Sequence, residues 1–226
     1  MKKTFYAELA YLIGLIILAF STALMTVADF GLSMVVAPAY IVYRKVSEFW
    51  SFFSFGMAEY LLQFVLILIL AVTLRRVKIS YVLSFATAVL YGFLLDGILP
   101  LVSMLPSSLL VVRIAMFVVG LLLCACAISL LFHTYVPPEA YELIVKEFST
   151  HFAWPIHRVK TVYDCVSCVT AIALSLLCFG FSRLEGVGIG TIFCTICNGT
   201  LIAAFTRFFE KHFDFRDRFA LRKYCE

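Results

Sequence analysis

The sequence predicts an all-α polytopic membrane protein. Six transmembrane helices form two inverted three-helix repeats, each with a short amphipathic or re-entrant helix between its first and second spans. Three observations carry this: a strongly apolar composition in long runs, a one-sided distribution of lysine and arginine, and a recurring order of proline, tyrosine, lysine and acid.

Of the 226 residues, 63% are hydrophobic and only 14% are charged, and the mean hydropathy is +1.03. A soluble domain is about half apolar and about a quarter charged. The natural solvent for this chain is a bilayer. Apolar runs of about 20 residues cross it as helices, because lipid offers backbone polar groups no partner outside the helix. The runs fall at residues 8–30, 53–74, 80–102, 109–132, 159–181 and 188–208. The first has a rival reading as a signal peptide, with Lys2 and Lys3 as its basic start. The apolar run continues past Ser21, Thr22 and Ala23, and six spans suit the charge pattern better than five.

Basic residues set the orientation. Lys2, Lys3, Arg75, Arg76, Lys78, Lys146, Arg158, Lys160 and the tail (Arg207, Lys211, Arg216, Arg218, Arg222, Lys223) fall on one side of a six-span chain. Arg44, Lys45 and Arg183 fall on the other. This predicts a multi-pass protein of the cell (inner) membrane with both termini cytoplasmic. The net charge of +4 is a topology signal, and no nucleic-acid partner is read from it. Residues 209–226 form a basic, aromatic tail, expected as an interfacial helix.

Residues 1–106 and 107–208 contain the same events in the same order: a span, a proline-bearing amphipathic stretch, a span with an acid near its start, and a last span. Setting Ala39 on Ala140 also sets Tyr40 on Tyr141 and Lys45 on Lys146. Glu59 then lies near Asp164, and Gly92 near Gly199. Three spans per half make the repeat inverted, a common secondary-transporter architecture with its site near the midplane.

The order "GLSMVVAPAYIVYRKVS", "PPEAYELIVKEFS", "VKTVYD" and "GVGIGTIFCTICNG" resembles the YitT/YczE-like bacterial integral membrane proteins over nearly the whole chain. Val159, Lys160 and Asp164 match one short motif of that family; Gly188, Gly190 and Thr191 match another. The chain departs at its short helices: Tyr40 stands where an acid follows the first proline by two residues, and Ala140 stands at the second copy's acid. The resemblance implies a polytopic, transport-like membrane protein without naming a substrate.

Carboxylates inside a span are costly unless paired or wetted, so Glu59, Asp96 and Asp164 are the first site candidates. Their rival reading is an interfacial position near headgroup water. Lys160, four residues before Asp164, shares its helical face and reads as an interfacial ion-pair partner. Pro38, Pro137 and Pro138 suit the first turn of a helix, where no N–H is missed. Such helices either begin inside the protein or lie flat on the membrane, which would make Tyr40, Tyr43, Tyr135 and Tyr141 interfacial aromatics. Gly188, Gly190 and Thr191 read as a close backbone approach or a helix start; no Lys-Ser/Thr pair makes "GVGIGT" a phosphate loop. Asn198 is a candidate ligand contact, whereas Thr195 and Thr200 read as packing residues.

All eight cysteines lie in the second half, with C-x-x-C pairs at Cys165/Cys168 and Cys194/Cys197. In a soluble chain this spacing argues for zinc. Inside apolar spans, small-residue packing is favoured over a metal or a redox disulfide, and no metal or other cofactor is expected. No nucleophile–histidine motif suggests an enzyme. The functional expectation is transport of a small solute by alternating access, with Tyr40, Glu59, Asp96, Tyr141, Asp164 and Asn198 lining a central cavity. The mostly acidic candidates hint at a cation or proton step. The alternatives are a substrate-binding membrane subunit of an energy-coupling-factor type importer and a non-transporting assembly protein. Homo-oligomerisation is left open.

Overall fold

The computed structural model describes residues 3–106, 108–180 and 186–217. Lys2, Arg183, Arg218, Arg222 and Lys223, used above for topology, and the last of the eight cysteines, Cys225, lie outside the described residues. Six long apolar helices make the chain a multi-pass α-helical membrane protein: α1 (Ala7–Ala28), α3 (Phe55–Leu74), α4 (Ile79–Ser103), α5 (Leu110–Phe132), α7 (Ile156–Phe179) and α8 (Ile189–His212). Each matches an apolar run within a few residues. Between the first and second spans of each half lies a short helix, α2 (Ala37–Val46) or α6 (Ala140–Phe152).

Local chemistry sets the helix ends. Ser54 caps α3 by accepting from the Met57 N–H at 3.1 Å. Pro38 is the second residue of α2, where its missing N–H is harmless. Pro137 and Pro138 differ from expectation: they precede α6, with Glu139 as its N-cap. A residue before proline is pushed out of the α region, so Pro137 holds the lead-in extended. Gly188 is the N-cap of α8, and its N–H donates to Thr191 Oγ1 at 3.2 Å. At the other end of α1, Arg113 caps the chain, donating to the carbonyls of Ala28 and Asp29 at 2.9 and 3.1 Å.

The tail also departs from expectation. α8 runs on through His212, and Phe213–Arg216 form a strand, β2, paired in parallel with β1 (Lys3–Tyr6). The alternating aromatics explain the strand: Phe213 and Phe215 both contact Phe5 edge-on, and Phe215 stacks on His133 at 4.5 Å. This ribbon ties the start of α1 and the end of α8 together at one end of the bundle.

α1 packs against α4 and α5 at the centre, and α5 against α8. α2 packs on α3 of its own half and α7 of the other; α6 packs on α7 of its own half and α3 of the other. These pairings map onto each other when the halves are exchanged. The α3–α4 contact has no α7–α8 counterpart of similar extent. Outward residues such as Val72, Val111 and Leu177 are exposed and apolar, as lipid-facing positions are.

Candidate functional site

α6 begins inside the membrane-spanning bundle. The Ala140 N–H donates to Gln63 Oε1 at 3.0 Å, and Gln63 is the ninth of the twenty residues of α3. At 1.5 Å per residue it lies about 12 Å from one end of that span, close to mid-depth. From there α6 runs to the α3–α4 turn, where Glu147 accepts from Lys78 at 2.7 Å and pairs with Arg76 at 3.4 Å. It is a re-entrant half-helix, not a surface one. Ala140 and Tyr141 are buried, as are Leu143, Ile144 and Val145.

Non-helical backbone at that depth survives only if protein groups satisfy it. Two adjacent prolines remove two N–H donors outright. Their carbonyls are taken up by α4: Ser84 Oγ donates to Pro138 O at 2.6 Å and Thr87 Oγ1 to Pro137 O at 3.1 Å. Tyr11 of α1 and Thr87 share a further bond at 2.8 Å. The lead-in is thus cradled by polar side chains of three spans.

Beside this lead-in is a cavity of about 50 Å³. Its polar lining comes from Thr22, Tyr91, Glu139, Tyr141, Glu142, Lys160, Asp164 and Asn198, and residues 32–36, leading into α2, close another side. The starts of the two short helices therefore meet at one cavity. Lys160 Nζ bonds Glu142 Oε1 at 2.7 Å and pairs with Asp164 Oδ1 at 3.3 Å. The Tyr141 hydroxyl donates to Glu59 Oε2 at 2.7 Å. Glu139 is only 7% exposed, and its Oε1 has no hydrogen-bond partner; neither has the buried Oδ1 of Asn198. Burial pushes the Glu139 carboxyl well above the usual carboxylate range, and the neighbouring Glu59 and Glu142 carboxyls act in the same direction. Burial likewise raises the Tyr141 phenol, which keeps it a donor.

Three of the six expected lining residues, Tyr141, Asp164 and Asn198, meet at this cavity. Glu59 lies behind Tyr141, fully buried, which removes the headgroup-water reading for it. Lys160 and Asp164 form the expected pair, but the pair faces the cavity and is shared with Glu142. Tyr40 lies elsewhere: its ring packs on Phe55 and Tyr43, and it lines a second, more open cavity of about 250 Å³ with Asp29, Gly31 and Gly188. Asp96 is also apart. It accepts from the Gly56 N–H at 2.7 Å and from the Ser54 hydroxyl, tying α4 to the start of α3.

The glycine motif makes the expected close approach. Gly190 N–H donates to Phe30 O at 2.8 Å, and a Cβ on Gly188 or Gly190 would meet that carbonyl. Gly31 has φ +101°, and a Cβ there would fall 2.5 Å from Gly188 N. The two C-x-x-C pairs sit on α7 and α8, which have different neighbours, and among the described residues no three His, Cys, Asp or Glu side chains group as metal ligands. Glu139, Glu142 and Gln63 join the site without having been expected from the sequence; the donor-free Pro137–Pro138 step beside an acid is the signal for the first.

Fold and site together define the class: a six-span helical membrane protein whose centre holds a charged, half-buried cavity at the start of a re-entrant helix. Residues 5–207 match DUF6198, a family of unknown function, and the chain belongs to that family. No curated protein and no solved structure matches the chain.

Proposed function

We propose that this protein carries a small solute across the cell membrane by alternating access, the halves acting as inverted repeats around the central cavity. The supporting observation is the α6 lead-in. A helix broken at mid-depth, its backbone satisfied by neighbouring spans, with ionisable side chains turned to a cavity, is how helical transporters build a site. The exchange-related packing pairs support the repeat reading, and the lysines and arginines support a cytoplasmic side for both termini. Kinship with the YitT/YczE-like proteins is part of this proposal. It rests on the short motifs, of which Lys160 and Asp164 line the cavity and Gly188 and Gly190 start α8.

Purified protein in sealed vesicles, loaded with mixed small solutes and screened by counterflow, tests the proposal. We expect accumulation of at least one solute, reduced in Tyr141→Phe by more than any loss of folded protein accounts for. Correctly folded protein that moves none of a broad panel overturns it. The small buried share of α7 and α8, 11% and 17%, favours as a second reading a ligand-binding subunit that docks on a partner. That reading requires co-purification with an ATP-driven module.

A further inference from the structure

We propose that the central cavity binds a small organic ammonium ion, gripped by Glu139 from the α6 lead-in and Asn198 from α8. This rests on the transport reading for its physiological role, but not for the binding itself. Three residues that line the cavity carry a buried acceptor atom without a hydrogen-bond partner, Glu139 Oε1, Asn198 Oδ1 and Asp164 Oδ1, and of these only Asp164 has a cation beside it, Lys160 at 3.3 Å. Glu139 and Asn198 come from different elements and flank one space. Buried polar atoms are almost always hydrogen-bonded in native proteins, so a pair of orphan acceptors marks where an N–H donor belongs.

The cavity's own cation cannot fill that role. Lys160 is committed to Glu142 at 2.7 Å and Asp164 at 3.3 Å. Glu142 and Asp164 already share the one ammonium, so Glu139 has no cation of the cavity lining to pair with once it is ionised. An anion is less favoured despite the helix start, because three of the α6 donors are already used. Ala140 N–H bonds Gln63, and the Glu142 and Leu143 N–H groups bond the Glu139 carbonyl at 3.1 and 3.0 Å. Among the described residues no three metal-ligating side chains converge, which favours a ligand with its own N–H donors over a bare metal ion. At about 10–15 Å³ of such space per water, the cavity of about 50 Å³ takes a ligand of a few non-hydrogen atoms, such as a small alkylammonium. Apolar walls from Leu18, Met25, Leu32 and Leu131 suit its carbons.

Without a cation beside it, burial and the neighbouring Glu59 and Glu142 carboxyls favour the neutral acid at Glu139. Binding an ammonium makes the carboxylate the favoured form, so one cation enters as one proton leaves. The titratable groups around Glu139 are Tyr11, Glu59, Tyr91, Cys124, Tyr141 and Glu142, with Lys160 and Asp164 across the cavity.

Calorimetry on the full chain in lipid nanodiscs, with methylammonium chloride as the probe, tests this. Titrations near neutral pH in two buffers of different ionisation enthalpy read proton release. We expect saturable binding with release of a proton, and an affinity weakened about ten-fold or more in Glu139→Gln and severalfold in Asn198→Ala. Should Glu139→Gln fail to fold, Asn198→Ala and competition on the unaltered protein carry the test: tetramethylammonium, bulky and without N–H groups, and sodium should not displace methylammonium. Absence of saturable binding, equal binding of tetramethylammonium or sodium, preference for acetate, or unchanged affinity in both variants overturns the proposal. Methylammonium binding without vesicle flux upholds the site and removes the transport reading. Flux of another solute without methylammonium binding removes the site and leaves transport.

Discussion

The two halves of the molecule solve the same packing problem differently. In the first half, α3 and α4 close on each other at Gly56 and Gly92: a Cβ on Gly56 would overlap the Gly92 carbonyl, and Asp96 ties the same helix ends together. In the second half, α7 and α8 share no comparable contact. Gly199, which the sequence aligns near Gly92, has nothing within 4 Å of a Cβ placed on it. About a third of the α3 and α4 spans is buried, against 11% and 17% for α7 and α8. The charged cavity groups, Glu139, Glu142, Lys160 and Asp164, all belong to the second half. The first half supplies the cradle of Gln63, Ser84 and Thr87. One half is thus the more closely packed frame, and the other, with less helix–helix packing, carries the charged cavity groups.

The strongest test of this division is Gly56→Leu. The added side chain has no room against the Gly92 backbone, so the helices must separate; we expect a loss of about 3 kcal/mol or outright failure to fold, by overpacking. Thermal unfolding in detergent, read as Tm and yield, measures it. A near-normal Tm would mean that the α3–α4 seam is not the frame.

Gln63→Leu comes next. It removes the acceptor for the Ala140 N–H and leaves a buried donor at mid-span, at a cost of about 1–3 kcal/mol. Hydrogen exchange should show faster exchange confined to the α6 lead-in, with the α3–α4 seam still protected. Uniform loss of protection would tie α6 into the α3–α4 frame instead of the second half.

These two residues also show what the sequence could and could not disclose. The six spans were legible because the hydrocarbon layer demands about 20 apolar residues per crossing. α6 was half legible: Pro137–Pro138 marked a helix lead-in, but nothing in the residues fixed its depth. Gln63, Ser84 and Thr87 were invisible as a cradle, since lone polar residues on an apolar helix read equally as interhelical glue. Asp96 was ambiguous, because an acid that caps a neighbouring helix has the same signature as a binding acid. The β1–β2 ribbon was hidden in a tail whose alternating aromatics and charges also suit an interfacial helix.

A smaller effect, confined to one pH window, belongs to Glu139. Its carboxyl is raised in the folded protein, against an ordinary value of about 4.3 for a glutamate in the unfolded chain. The folded state then holds the proton more tightly, so its contribution to stability is complete below the ordinary value. It declines as pH rises from there toward the raised folded value. Tm measured against pH should fall across that interval, and Glu139→Gln should flatten the fall. An unchanged slope would place the titration elsewhere among the second-half acids.

The smallest expected effect carries the most about motion. Gly199→Leu on α8 places a side chain into open space, so the resting structure predicts a change within about 0.5 kcal/mol, the range of surface substitutions without a packing role. Tm alone cannot separate an idle lipid face from one that closes during a transport cycle. Flux can. If α7 and α8 close like α3 and α4 in another state, Gly199 meets α7 there as Gly92 meets α3 here, and the leucine blocks that state while leaving Tm untouched. Unchanged Tm with reduced counterflow would then make the asymmetry between the halves a difference of state. Unchanged Tm with unchanged counterflow would make it permanent, a fixed division between frame and site.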